Sequence, residues 1–261
     1  MRGGGYENTR VRHAIAILFC AALVCAGAAR AQDELSTRLS NDRVGAFEPG
    51  TYLAGNMKFT LVPYGGKFLL RFADAPEVYV LYADHASLGG RVLKYDSGET
   101  AILVSGWGGM TLYTDAQPAG APAERVGDTL APVLNAVTLG EMQNAAEDEA
   151  EHLAYARRLK LSFSADWVWL AGDSAIRALA FDTMENAARG LERFAGAPAA
   201  RATLTQKLDN VRIEPGAKPT IALSGRTLVV TFNTQRGYVG RASSRAIARA
   251  LGTLLSTPAA K

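Results

Sequence analysis

Between Thr51 and Asp115 the chain offers one candidate strand after another with only short turns between them, and no other feature restricts its fold as much. Residues 58–62 alternate polar and apolar, Gly65 and Gly66 supply a tight turn, 67–72 answer it, and 77–82 follow Ala75 and Pro76. Residues 91–95 and 100–104 flank Asp96-Ser97-Gly98, and 110–114 return after Gly106-Trp107-Gly108-Gly109. Parallel pairing needs crossovers of about a dozen residues or more, so connections this short dictate an antiparallel meander. With Phe59, Phe68, Phe72, Tyr79, Tyr82 and Tyr95 on its strands, residues 45–115 are expected to curl into a half-barrel or a small sandwich.

Residues 116–133 hold Pro118, Pro122 and Pro132 with Gly120 and Gly127, a composition that suits neither a helix nor a central strand, and they read as a connection. The second unit, 134–256, opens on Thr138 and Glu141 in capping-box spacing, with Val137 and Met142 placed as a hydrophobic staple, so a helix is expected over 139–159. A short strand at 160–163 precedes a helix over 174–194 with Ser174 as its cap, and a shorter helix over 199–208 follows. Residues 220–223 and 227–232 flank Ser224-Gly225-Arg226 as a hairpin, with a further strand at 211–214. The last helix starts near Ser243 and buries Ile247, Leu251 and Leu254. The expected class is α+β: a β meander, then helices packed on a small antiparallel sheet.

Arg2, Arg10 and Arg12 precede an apolar run over 14–29 that is too short to span a bilayer comfortably, and Ala29-Arg30-Ala31 offers small residues for cleavage. Residues 1–31 therefore read as a secretory signal peptide, and the mature chain is expected in the periplasm or outside the cell, with no transmembrane span. That segment holds four arginines and one glutamate, so its removal cancels the excess of 28 basic over 25 acidic residues. A neutral mature chain has no global field to draw in nucleic acid. Cys20 and Cys25 also lie in the segment, which leaves no thiol for a disulfide, a nucleophile or a metal.

Chemistry-bearing residues are scattered. Asp148, Glu149, Glu151 and His152 crowd one helix, but the Glu-x-x-His spacing occurs once where a di-iron bundle needs it twice, and no metal site is expected. Asp84, His85 and Asp96 are the candidates for an acid–base set, since a histidine oriented by a carboxylate titrates near neutral pH. Ser105 lacks the glycine of a nucleophile elbow, Gly172-Asp173-Ser174 lacks the C-terminal Asp-x-x-His of the lipases and esterases it resembles, and no phosphate loop exists, so no cofactor is implied. Trp107 is expected to fold back over the β core, because a fully exposed indole forfeits its burial; stacking on a glycan or a protein partner is the alternative. The strongest local candidate is an anion site at the last helix start. There Arg236, Gly240, Arg241, Ser243, Ser244 and Arg245 gather charge, hydroxyls and free backbone amides.

Leu88-Gly89-Gly90-Arg91, residues 95–99, residues 107–113 and residues 240–244, taken together, resemble a family of secreted alphaproteobacterial proteins that carries only a domain-of-unknown-function label. The resemblance covers most of the mature chain and implies a bacterial, exported protein without implying an activity. The expected role is a non-catalytic binding or structural module of the cell envelope, with an anionic envelope component or a periplasmic protein as its partner. The alternative is an envelope hydrolase whose catalytic groups meet only in the fold.

Overall fold

A computed structural model describes residues 47–256. The proposed leader at residues 1–31 lies outside the described residues. Eight strands run in sequence: β1 (Gly50–Ala54), β2 (Met57–Tyr64), β3 (Lys67–Phe72), β4 (Val78–His85), β5 (Arg91–Tyr95), β6 (Thr100–Val104), β7 (Met110–Leu112) and β8 (Ala121–Gly127). Each pairs antiparallel with the next, and β8 returns to β1, so the meander closes into a barrel where a half-barrel or sandwich was expected. The closing strand lies inside the segment read as a connection. Pro122 is tolerated there because it pairs opposite Thr111 of β7 but lies one residue beyond Ala123, where pairing with β1 ends.

Alternation along the strands sends Tyr52, Phe59, Leu61, Leu81, Leu93 and Ile102 inward, all buried. Each fully buried Leu or Phe contributes roughly 1.5–3 kcal/mol. Ring contacts such as Tyr79 with Tyr95, 5.2 Å between centroids, fill the middle. Eight strands enclose just enough room for side chains, and this barrel is packed in that manner.

The second half is built on a four-stranded sheet in the order β11-β12-β10-β9, with β9 (Ser162–Ala165), β10 (Asn210–Pro215), β11 (Thr220–Ser224) and β12 (Thr227–Phe232). The expected β11–β12 hairpin forms, but the sheet is mixed and not antiparallel, since β9, β10 and β12 run parallel. The physical reason is the connections. Helices carry the chain from β9 to β10, and the hairpin inserts β12 between β11 and β10, pointing it the same way as β10. Five helices complete the unit: α1 (Leu139–Arg157), α2 (Trp167–Ala171), α3 (Ser174–Phe194), α4 (Pro198–Lys207) and α5 (Ser244–Ser256).

The capping box of α1 is present, with Glu141 N–H donating to Thr138 Oγ1 at 3.2 Å and Thr138 N–H to Glu141 Oε2 at 2.7 Å. The helix stops at Arg157 because Arg158 turns into the left-handed region at φ 58°. Asp173, not Ser174, caps α3, its carboxylate accepting from the amides of Ala175 and Ile176 at 2.8 and 3.0 Å. The α3–α5 crossing is close at Gly190, where a Cβ would stand 2.7 Å from Ile247 Cβ. A third cluster, Val62, Leu69, Val78, Val80 and Tyr238, joins the outer face of β2–β4 to the second half.

Candidate functional site

The start of α5 meets the turns at one end of the barrel, and charge is concentrated there. Asp96 leaves β5 in a turn and receives both the amide of Ser243, at 2.8 Å, and its hydroxyl. Glu77, just before β4, receives the amide and hydroxyl of Ser244 at 2.8 and 2.6 Å. The free N–H groups and positive dipole end of α5 thus hold two carboxylates, as expected of an anion site, and both anions belong to the chain itself. Glu77, Ser243 and Ser244 are buried.

The arginines are committed in the same way. Arg241, 3% exposed, pairs with Asp182 of α3, donates to Val78 O at 2.6 Å and lies over the ring of Tyr238. Arg245 bridges Glu99 and Asp115 at 2.7 and 2.9 Å and stands 4.4 Å above the ring centre of Tyr95. Arg193 of α3 also reaches Asp115. Arg236 is exposed and apart from this group, and Gly240 serves backbone packing, its position leaving no room for a Cβ beside Asn233 O.

Burial raises Asp96 and Asp182 above the usual carboxylate range despite their partners. Burial would also raise Asp115, but Arg245 and Arg193 hold it below that range. The Tyr95 hydroxyl, pushed up to about 12 chiefly by burial, has no hydrogen-bond partner.

Beside this junction opens a cleft of about 460 Å³ that reasoning from sequence missed. Arg157 of α1, Arg189 and Arg193 of α3, Tyr79 of β4, and Glu77 and Ser244 line it. Arg157 bonds Glu192 at 3.1 Å and Arg189 bonds Glu185 and Asn186, so the guanidinium groups are held in place around the opening. Three such planar, multidentate donors on one cleft suit a phosphate or a carboxylate. The single Glu-x-x-His of α1 meets Glu192 here, with His152 Nε2 3.6 Å from it. Among the described residues, no three His, Cys, Asp or Glu side chains gather as a metal-binding group.

The acid–base candidates do not converge. His85 pairs with Arg91 at one end of β5, while Asp96 follows Tyr95 at the other. Five residues of strand separate them, about 17 Å. Asp84 accepts from Lys94 Nζ at 2.8 Å and from the amide of His85 at 2.9 Å, and its carboxyl is held low first by the Lys94 bond. Ser105 Oγ accepts from the amide of Gly109 at 2.9 Å, which makes it a turn former. Trp107 does not fold back: it is 93% exposed. The turn from Ser105 to Gly109 is too short to carry an indole back over a barrel that β7 and β8 already close.

Among the described residues no helix is long and apolar enough to cross a membrane. A family model described as a domain of unknown function, DUF4908, matches residues 32–251. No curated protein and no solved structure matches.

Proposed function

The chain belongs to the DUF4908 family, and on that footing we propose that it is an exported, non-catalytic binding module of the bacterial envelope that takes a small anionic group in the cleft beside α5. The observation that carries this reading is the convergence of Arg157, Arg189 and Arg193 on one open cleft, where they outnumber the two carboxylates, Glu77 and Glu192, that also line it. Export and a periplasmic setting rest on the leader-like residues 1–31, and an alphaproteobacterial source rests on the resemblance already described. The hydrolase alternative draws no support from a histidine and a carboxylate held about 17 Å apart.

The α5 start itself is a poor seat for a ligand, because Glu77 and Asp96 already take its amides. Arg241 and Arg245 are equally poor handles for a test, since Arg241 is buried against Asp182 and Arg245 ties Glu99 and Asp115 to the start of α5. The useful comparison is thermal unfolding of wild type and Arg157→Ala/Arg189→Ala with rising inorganic phosphate, succinate or glycerol phosphate. A ligand at about 100 times its Kd adds roughly 2.7 kcal/mol to the folded state. For a chain of this size that is a rise of several degrees, on the order of 5–10 °C. Such a rise in wild type, lost in the double variant, is the expected result. Equal responses in both, or none in either, would remove the cleft as the binding site.

A further inference from the structure

A pocket of about 410 Å³ opens in the second half of the chain, where α1 passes the start of β9 and the first residue of α2. Its volume lies in the range of small-molecule sites. Ala146 and Ala150 of α1, one helical turn apart, leave the room, since longer side chains at these two places would fill it. Phe163 of β9, 8% exposed, and the half-buried Trp167 supply apolar wall.

Around that wall stand Gln143, Asn144 and Glu147 of α1 and Ser162 of β9. Gln143 and Glu147 are four residues apart and Asn144 and Glu147 three, so the helix gathers all three on one side. At the α5 start the polar groups are spent on the chain itself. Here they are not: the side chains of Gln143, Asn144 and Glu147 have no hydrogen-bond or ion-pair partner among the described residues. Ser162 is oriented from behind, its hydroxyl donating to Asn210 Oδ1 at 3.0 Å while Asn210 Nδ2 donates to Ser164 Oγ at 2.9 Å. With its proton so used, the Ser162 oxygen is left to accept from a ligand.

The lining narrows the ligand class. Glu147 is the one charged residue on the pocket wall, so an anion of the kind suited to the arginine cleft is repelled. An ammonium would suit Glu147, but it accepts no hydrogen bond and would leave the amide NH2 groups of Gln143 and Asn144 unmatched. Those two amides each offer a donor and an acceptor, and Glu147 adds two acceptors, which makes both kinds dense in a small space. A peptide unit brings one of each, and a planar base presents its groups along an edge. A sugar ring carries hydroxyls around its rim, each both donor and acceptor, and its C–H faces match the apolar surface of Trp167 and Phe163.

We propose that this pocket binds one ring of an uncharged saccharide, with Trp167 against a C–H face and Gln143, Asn144, Glu147 and Ser162 on the hydroxyls. It shares no residue with the arginine cleft, so this inference and the anion reading stand or fail separately.

Saturation-transfer NMR on the full chain with glucose, galactose and N-acetylglucosamine tests the assignment. At least one of the three sugars should receive transfer, strongest on the C–H protons of one ring face, and inorganic phosphate should not displace it. Ala150→Leu fills the pocket floor and should abolish the transfer. Gln143→Ala/Glu147→Ala should weaken binding about tenfold or more, the order of losing a hydrogen bond to a charged group. Glu147 is exposed and Gln143 half-buried, and an unchanged melting temperature verifies that this pair is folded. Transfer to none of the three sugars, or binding that either variant leaves unchanged, would overturn the saccharide site. Displacement by phosphate would overturn it as well and place the sugar in the arginine cleft.

Discussion

A carboxylate set on a helix start performs the job of a capping residue, and Glu77 and Asp96 do so from a distant part of the chain. The residue types at the α5 start were legible as a place that attracts anions, because arginine, serine and glycine beside a helix start are local facts. The identity of the anions was not, since Glu77 and Asp96 lie 167 and 147 residues away in sequence from the serines they cap. Desolvation works against those charges. A carboxyl such as Asp96, raised by burial, holds its proton more tightly when folded than when unfolded. Its contribution to stability is full below the unfolded value of about 3.9 and is lost as pH rises through the folded value. Asp115 runs the opposite way: held low by its two arginines, it stabilises at neutral pH and ceases to as pH falls through its folded value. Asn cannot ionise, so Asp96→Asn should compare better with wild type at pH 7 than at pH 4 in urea unfolding. A wild-type-to-variant difference that is the same at both pH values would contradict a raised, buried Asp96.

Elements whose rules are local were readable, and those whose partners are remote were not. The α1 capping box and the β11–β12 hairpin follow from spacings of a few residues, and both stand as expected. The closing strand β8 was hidden by its proline, which argues against a central strand until one sees that β1 pairing ends before Pro122. Parallel pairing among β9, β10 and β12 depends on which strand the hairpin inserts beside, and no residue pattern records that choice. The α3–α5 crossing carries the junction, since α3 supplies Asp182 and Arg193 while α5 supplies Arg245. Gly190→Ala would set a methyl 2.7 Å from Ile247 Cβ with the Ser244 carbonyl 3.0 Å away. Overpacking of this kind costs about 1–3 kcal/mol, so the urea midpoint should fall accordingly and recover in part with Ile247→Ala. An unchanged midpoint would mean that the two helices have room to separate.

On the scale of the molecule, the barrel and the α+β half keep separate cores and are joined by a small apolar cluster and a dense charged junction. The arginine-lined cleft depends on side chains from α1, α3 and the barrel meeting in space, which explains why it was invisible in the sequence. Closing the barrel removes the free edges of its own sheet, while the four-stranded sheet of the second half keeps β11 and β9 as edges. All of this turns on the α5 start being an internal fastening and not an open anion site. Hydrogen exchange at the amides of Ser243 and Ser244 tests that directly. In anion-free buffer both should exchange as slowly as the amides of the central strands, and added phosphate should leave them unchanged. Fast exchange that slows only when phosphate is added would show an open site at the helix start and contradict the account.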